Sequence, residues 1–114
     1  MSPGEIHLAT FPFGGTVGVK LRPVLLLTGS LGSVPEVLTA YMTSVIPATQ
    51  LPTDILIDPK QLQHSATGLK QVTLLRLHKL ATVHDGDVMR YLGQLSAATW
   101  SDVETKLRLL LNLP

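Results

Sequence analysis

A chain of 114 residues, 45 % apolar and 15 % charged, is long enough to bury one core and too apolar to be a disordered segment. Its net charge of +1 excludes a broad field drawing in nucleic acid, so any anion site must be a local cluster. With no cysteine there is no disulfide, no thiolate metal site and no thiol nucleophile, which suits a reducing, cytoplasmic compartment. One domain over 1–114 is expected. No basic segment followed by an apolar stretch reads as a signal peptide, and no apolar run nears the ~20 residues of a membrane span. So few charges leave apolar surface for a partner, and a homodimer is the simplest one.

The elements follow in order. Gly4 to Phe11 alternates, with Ile6, Leu8 and Thr10 on one face, and reads as a first strand ended by Pro12. Gly14-Gly15-Thr16-Val17-Gly18 is a flexible loop. Lys20 and Arg22 come next and share a face if the chain is extended. Pro23 fixes its own φ and biases Arg22 toward extended backbone. Arg22 to Thr28 is the second strand, its run Val24 to Leu27 buried on both faces. Glu36 to Val45 is the third strand, broken by Pro47, and Asp54 to Asp58 a short fourth.

Pro59 to Gly68 has no strong period and reads as loop. Thr73 to Val83 is the longest strand. One face, with Leu75, Leu77, Ala81 and Val83, reads as core; the other carries Arg76 and His78. After the Asp85-Gly86 turn, Asp87 to Leu92 reads as a short helical turn. Ser96 caps a final amphipathic helix with Trp100, Val103, Leu107 and Leu111 on one stripe. Strands first and a helix last predict a mainly β fold: a small curled barrel with a C-terminal amphipathic helix.

Among candidate chemistries, a metal centre is poorly served. His7, His64, His78 and His84 are scattered, without ligand spacing, so no metal or other cofactor is expected. A G-x-S-x-G elbow and a phosphate-binding glycine loop opening a helix are both absent. What remains is a dispersed set: Lys20 and Arg22 before the second strand, Thr43-Ser44 ending the third, Arg76 and His78 on the fifth. Together they match what cleavage of RNA by its own 2′-hydroxyl needs: a base, an acid, and fixed donors for the phosphorane-like transition state. A guanidinium fork suits two phosphate oxygens at once. Phe11 and Phe13, flanking the loop, are the best placed aromatics to stack bases.

Several segments in sequence resemble one family. Gly4-Glu5-Ile6 through Phe11-Pro12-Phe13, then Lys20-x-Arg22-Pro23-Val24-Leu25, is similar to the opening of MazF/PemK-type toxins. Met42-Thr43-Ser44 resembles their strand ending in T-S. Gly68-Leu69 and Val72 to Val83 resemble a later G-L…R-x-x-K-L-x-T-L segment, and Leu92-Gly93-Gln94-Leu95-Ser96 their close. The resemblance implies an SH3-like small barrel, a homodimer, and the toxin of a type II toxin–antitoxin pair. It implies a metal-free, sequence-selective endoribonuclease acting on single-stranded RNA or mRNA to leave a 2′,3′-cyclic phosphate, held by a cognate antitoxin. By position, Arg22 and Thr43 match residues linked to catalysis, Ser44 matches the serine beside that threonine, and Arg76 matches a late-strand arginine implicated in some members. His78 stands where some members place an acid–base aspartate; histidine titrates near neutral pH and can serve there. The expected catalytic set is therefore Arg22, Thr43 and His78, with Lys20, Ser44, Arg76 and Phe13 contacting RNA. The alternatives are a non-catalytic interaction module, a gyrase-poisoning toxin of the same barrel fold, or an inactive member that only binds antitoxin.

Overall fold

Every strand in the computed structural model pairs with its neighbours antiparallel, and the residues described are 1–12 and 20–114. The strands are β1 (Glu5–Thr10), β2 (Leu21–Leu26), β3 (Glu36–Thr43), β4 (Asp54–Ile57), β5 (Thr73–His84) and β6 (Val88–Gln94). A helix, α1 (Ala97–Leu110), follows. They form one sheet in the order β4-β5-β3-β2-β1-β6. The fold is mainly β, as the alternation predicted, with one element misread. Asp87 to Leu92 is not a helical turn: only Asp85–Asp87 makes a single 3-10 turn, and β6 begins at Val88. Pairing with β1 overrides the weak local preference there, because Val88 lies opposite Ala9 and is buried beside it. Within Pro59 to Gly68, Leu62–Thr67 also forms a 3-10 helix.

Alternation gives the sheet two apolar faces. Ile6, Leu25, Ala40, Met42 and Leu75 build the larger core with Val103 of α1. Ala9, Phe11, Val24, Leu26, Val37 and Val83 build a smaller one on the other face. Val24, Leu25 and Leu26 are all fully buried, the doubly covered strand the sequence indicated. Pro23 is tolerated in β2 because the ladder with β3 starts only at Val24. The Ser96 hydroxyl caps α1 by accepting the Thr99 N–H at 3.2 Å. Val103 is buried and Trp100, Leu107 and Leu110 pack beside it, whereas Leu111 turns outward.

β5 departs from a simple period. Ala40 of β3 lies opposite Leu80, but the next residue, Tyr41, lies opposite Arg76. Leu77, His78 and Lys79 therefore bulge out of the ladder and the strand changes face across them. Leu75 and Leu77 belong to the larger core, while Ala81 and Val83 belong to the smaller one. The four do not share a face, contrary to the alternation read from sequence.

The sheet curls without closing: β4 and β6, its two edges, share no ladder. The 3-10 helix Leu62–Thr67 bridges them by docking on β6. A Cβ on Gly93 would overlap the Ala66 and Thr67 backbone, so only glycine lets the two backbones meet. Gly68, at φ +71°, closes the turn against Leu92. The result is barrel-like, with a helical turn in place of the last ladder.

Candidate active site

The smaller face of the sheet carries Arg22, Tyr41 and Arg76. Antiparallel pairing places Val24 opposite Tyr41. Continuing that register sets Arg22 opposite Thr43, and alternation puts both on the face of Tyr41. The Arg22 guanidinium carbon lies 5.9 Å from the centre of the Tyr41 ring. Lys79 Nζ lies 5.1 Å from the same centre, and Phe11 packs against the ring at 5.3 Å. A cation near an aromatic ring is attracted by its quadrupole while keeping its hydrogen-bond donors. Among the described residues Arg22 has no carboxylate partner. Thr43 Oγ1 accepts the Val45 N–H at 3.1 Å, which leaves the hydroxyl hydrogen to donate elsewhere.

Asp54 opens β4 opposite Arg76 of β5, and its side chain is fully buried. Its carboxylate receives Arg76 Nε at 3.2 Å and Nη2 at 3.1 Å, a bidentate pair. The Leu51 N–H adds a third donor at 2.8 Å. On the main chain, Lys106 Nζ of α1 donates to the Asp54 carbonyl at 3.1 Å, tying helix to strand. The β5 bulge swings His78 toward this pair, with Nδ1 4.0 Å from Asp54 Oδ1. Partial burial and then the Arg76 charge lower the His78 pKa below its ordinary 6.5, against the opposing pull of Asp54. Burial is the larger cause, because removing the ring from water penalises its charged form, and the nearby Arg76 and Lys79 charges add to it. His78 is therefore neutral at pH 7, the form that can accept a proton.

The structure thus brings Arg22, Thr43, Arg76 and His78 to one face around Tyr41 and Asp54. Ser44, the next residue after Thr43, falls on the other side and lines a cavity of about 400 Å³ with Pro23 and Met42. Lys20 is exposed just ahead of β2. Phe13 and the loop through Gly14 and Gly18 lie outside the described residues. Phe11 is buried in the smaller core rather than presented as a stacking surface. Asp54, Tyr41 and Lys79 join the site without having been singled out in sequence. Asp54 was one carboxylate among several there; only the β4–β5 register, a pairing across 22 positions, selects it.

A six-stranded curled sheet under a C-terminal helix is the fold of solved RNA-cutting toxins. A mycobacterial endoribonuclease in complex with its cognate antitoxin matches with a TM-score of 0.72 at 18 % identity, covering 100 % of this chain and 97 % of that one. The Mycobacterium tuberculosis toxin MazF-mt6 matches at 0.72 and 23 % identity, covering 96 % and 98 %. A further mycobacterial endoribonuclease matches at 0.71 and 17 %, covering 100 % and 93 %. At these identities the likeness speaks for the fold. No curated protein matches the chain in sequence. The model of the PemK-like, MazF-like toxins of type II toxin–antitoxin systems matches residues 2–111, and the chain belongs to that family.

Proposed function

We propose that this chain is an endoribonuclease toxin that cuts single-stranded RNA at selected sequences without a metal ion. The observation that carries this reading is Arg22, seated by Tyr41 beside Thr43 and unpaired by any carboxylate among the described residues. A guanidinium presented in that way, next to a hydroxyl with a hydrogen to give, is suited to the non-bridging oxygens of a phosphodiester. In the reaction the 2′-oxygen bonds to phosphorus and the bond from phosphorus to the 5′-oxygen breaks. His78 takes the 2′-hydroxyl proton, Arg22 and Thr43 hold the charge on the phosphorane-like transition state, and water protonates the departing 5′-oxygen. The products are a 2′,3′-cyclic phosphate and a 5′-hydroxyl.

Lys20 and Ser44 contribute RNA contacts at the two sides of the sheet end, and Phe13 is a base-stacking candidate. Arg76 enters chiefly through its pair with Asp54, and its charge adds to the burial that lowers the His78 pKa. The protein works in the cytoplasm as a homodimer, held inactive by a cognate antitoxin; exposed Val45, Leu51 and Leu62 supply apolar surface for such partners. The described helix is too short and polar to cross a membrane. The test is incubation of the purified protein with a long RNA in EDTA, with the product ends analysed. Discrete fragments ending in cyclic phosphate are expected. Intact RNA together with a gyrase-dependent growth defect would overturn the reading in favour of a gyrase poison.

A further inference from the structure

The cavity behind Arg22 lies on the opposite face of the sheet, and its floor is a single rank of cross-strand neighbours. Arg90 of β6 lies opposite Leu8 of β1, and Leu8 opposite Pro23 of β2. The register continues to Met42 of β3, which also lines the cavity. The floor is therefore apolar, with a guanidinium at one end. Ser44 stands at the other end, and the loop through Lys70 and Gln71 borders the opening. At about 400 Å³ the space is within the range of small-ligand sites. Among the described residues no acidic one lines it, and neither Arg90 nor Lys70 has an ion-pair partner. Thr73, whose hydroxyl donates to the Gln71 carbonyl at 2.9 Å, adds a polar edge.

The position of this cavity matters as much as its lining. Pro23 follows Arg22, and Ser44 follows Thr43, so each pair splits across the same end of the sheet. A strand of RNA whose phosphate meets Arg22 and Thr43 on one face has only to turn over that end to reach the cavity. We infer that the cavity seats one nucleobase of the RNA strand near the scissile phosphate, its ring on Leu8, Pro23 and Met42 and its edge read by Arg90. This rests on the reading of the chain as a ribonuclease. An apolar floor suits a ring face, and a guanidinium suits a base edge that presents a pair of acceptors side by side. An acidic segment of an antitoxin is the competing occupant. The apolar rank of Leu8, Pro23 and Met42 and its adjacency to Arg22 and Thr43 at the same sheet end favour the base.

The test maps cleavage sites on a long RNA for the wild type, Arg90→Ala and Ser44→Trp. Both positions are exposed, and Arg90 holds no ion pair among the described residues, so the variants are expected to keep the fold; a thermal melt checks this. The expected result is a base preference at one fixed offset from the cut that weakens about tenfold in Arg90→Ala and is lost or shifted in Ser44→Trp, which fills the cavity mouth. Arg90→Lys would not restore it, because an ammonium cannot make the bidentate contact. A uniform loss at all sites, with preferences unchanged, would mean that Arg90 only attracts phosphate and would overturn the inference. Unchanged cleavage with weakened binding of an acidic antitoxin peptide would assign the cavity to protein and overturn it as well. RNA left uncut by the wild type would bring down the ribonuclease reading itself, a result distinct from the other two.

Discussion

Arg22 and Arg76 stand on the same face of the sheet, on either side of Tyr41, and the sheet uses them in opposite ways. Arg76 faces a carboxylate with no exposure to solvent and meets it through Nε and Nη2, with its own side chain 16 % exposed. Arg22 rests by an aromatic ring at the sheet end with no carboxylate among the described residues. The lesson concerns partners rather than residue type. A buried carboxylate consumes a guanidinium in structure, because leaving either charge alone in the interior is costly. An aromatic ring orients a guanidinium and leaves its donors for a ligand.

Replacing each arginine, or its support, sharpens that contrast. Arg22→Ala should slow RNA cleavage by about 10²–10³-fold, the usual loss on removing one preorganised donor, with an unchanged melting curve. Cleavage rates and a thermal melt on the same preparation check both halves; full activity would remove Arg22 from the mechanism. Asp54→Ala should act on stability instead, costing about 3 kcal/mol in denaturant unfolding, because Arg76 is left without its partner and the Leu51 N–H without its acceptor. A loss below about 1 kcal/mol would mean that solvent already screens the pair.

His78 stands beside the Asp54–Arg76 pair. With its pKa lowered beneath 6.5, the neutral, proton-accepting form prevails at higher pH. The cleavage rate should rise with pH through that lowered value and level off near neutrality. His78→Gln should remove the rising limb and about 10²-fold of rate; a variant that keeps the limb would make His78 structural. The smallest effect is expected at Tyr41. Tyr41→Leu should lower the rate only a few-fold, about 0.5–1 kcal/mol, by loosening the seat of Arg22. Tyr41→Phe should retain the part of the rate that the ring's attraction for Arg22 supplies.

The strands were legible where alternation and burial agree. Val24 to Leu26 and the Ser96 cap carry their structure in local pattern, and their predicted positions fit. The β5 bulge was not legible. A strict period of two assigned Ala81 and Val83 to the face of Leu75, because nothing in Leu77-His78-Lys79 announces residues that leave the ladder. β6 was missed because seven residues with exposed Met89, Arg90 and Tyr91 have little apolar signal of their own and become a strand only against β1. In the site, Arg22 and Thr43 belonged to a dispersed set of residue types, and the family resemblance singled them out. Asp54 could not be singled out, since its meaning comes from a register between β4 and β5. The separation of Ser44 from Thr43 follows from alternation alone and was available in the sequence.

The crowding at Gly93 has a practical consequence for genetics. If cells are made to survive this toxin by spontaneous mutation, escape alleles will not collect only at Arg22 and Thr43. Any side chain at Gly93 pushes the Ala66–Thr67 backbone off β6, and any at Gly68 collides with Leu92 while straining its own φ. Both glycines lie away from the face that carries Arg22 and Thr43, yet in a survival screen they would score as deeply as a residue of the proposed site. Protein abundance, measured for each allele, would separate the collapsed seam from the silenced site.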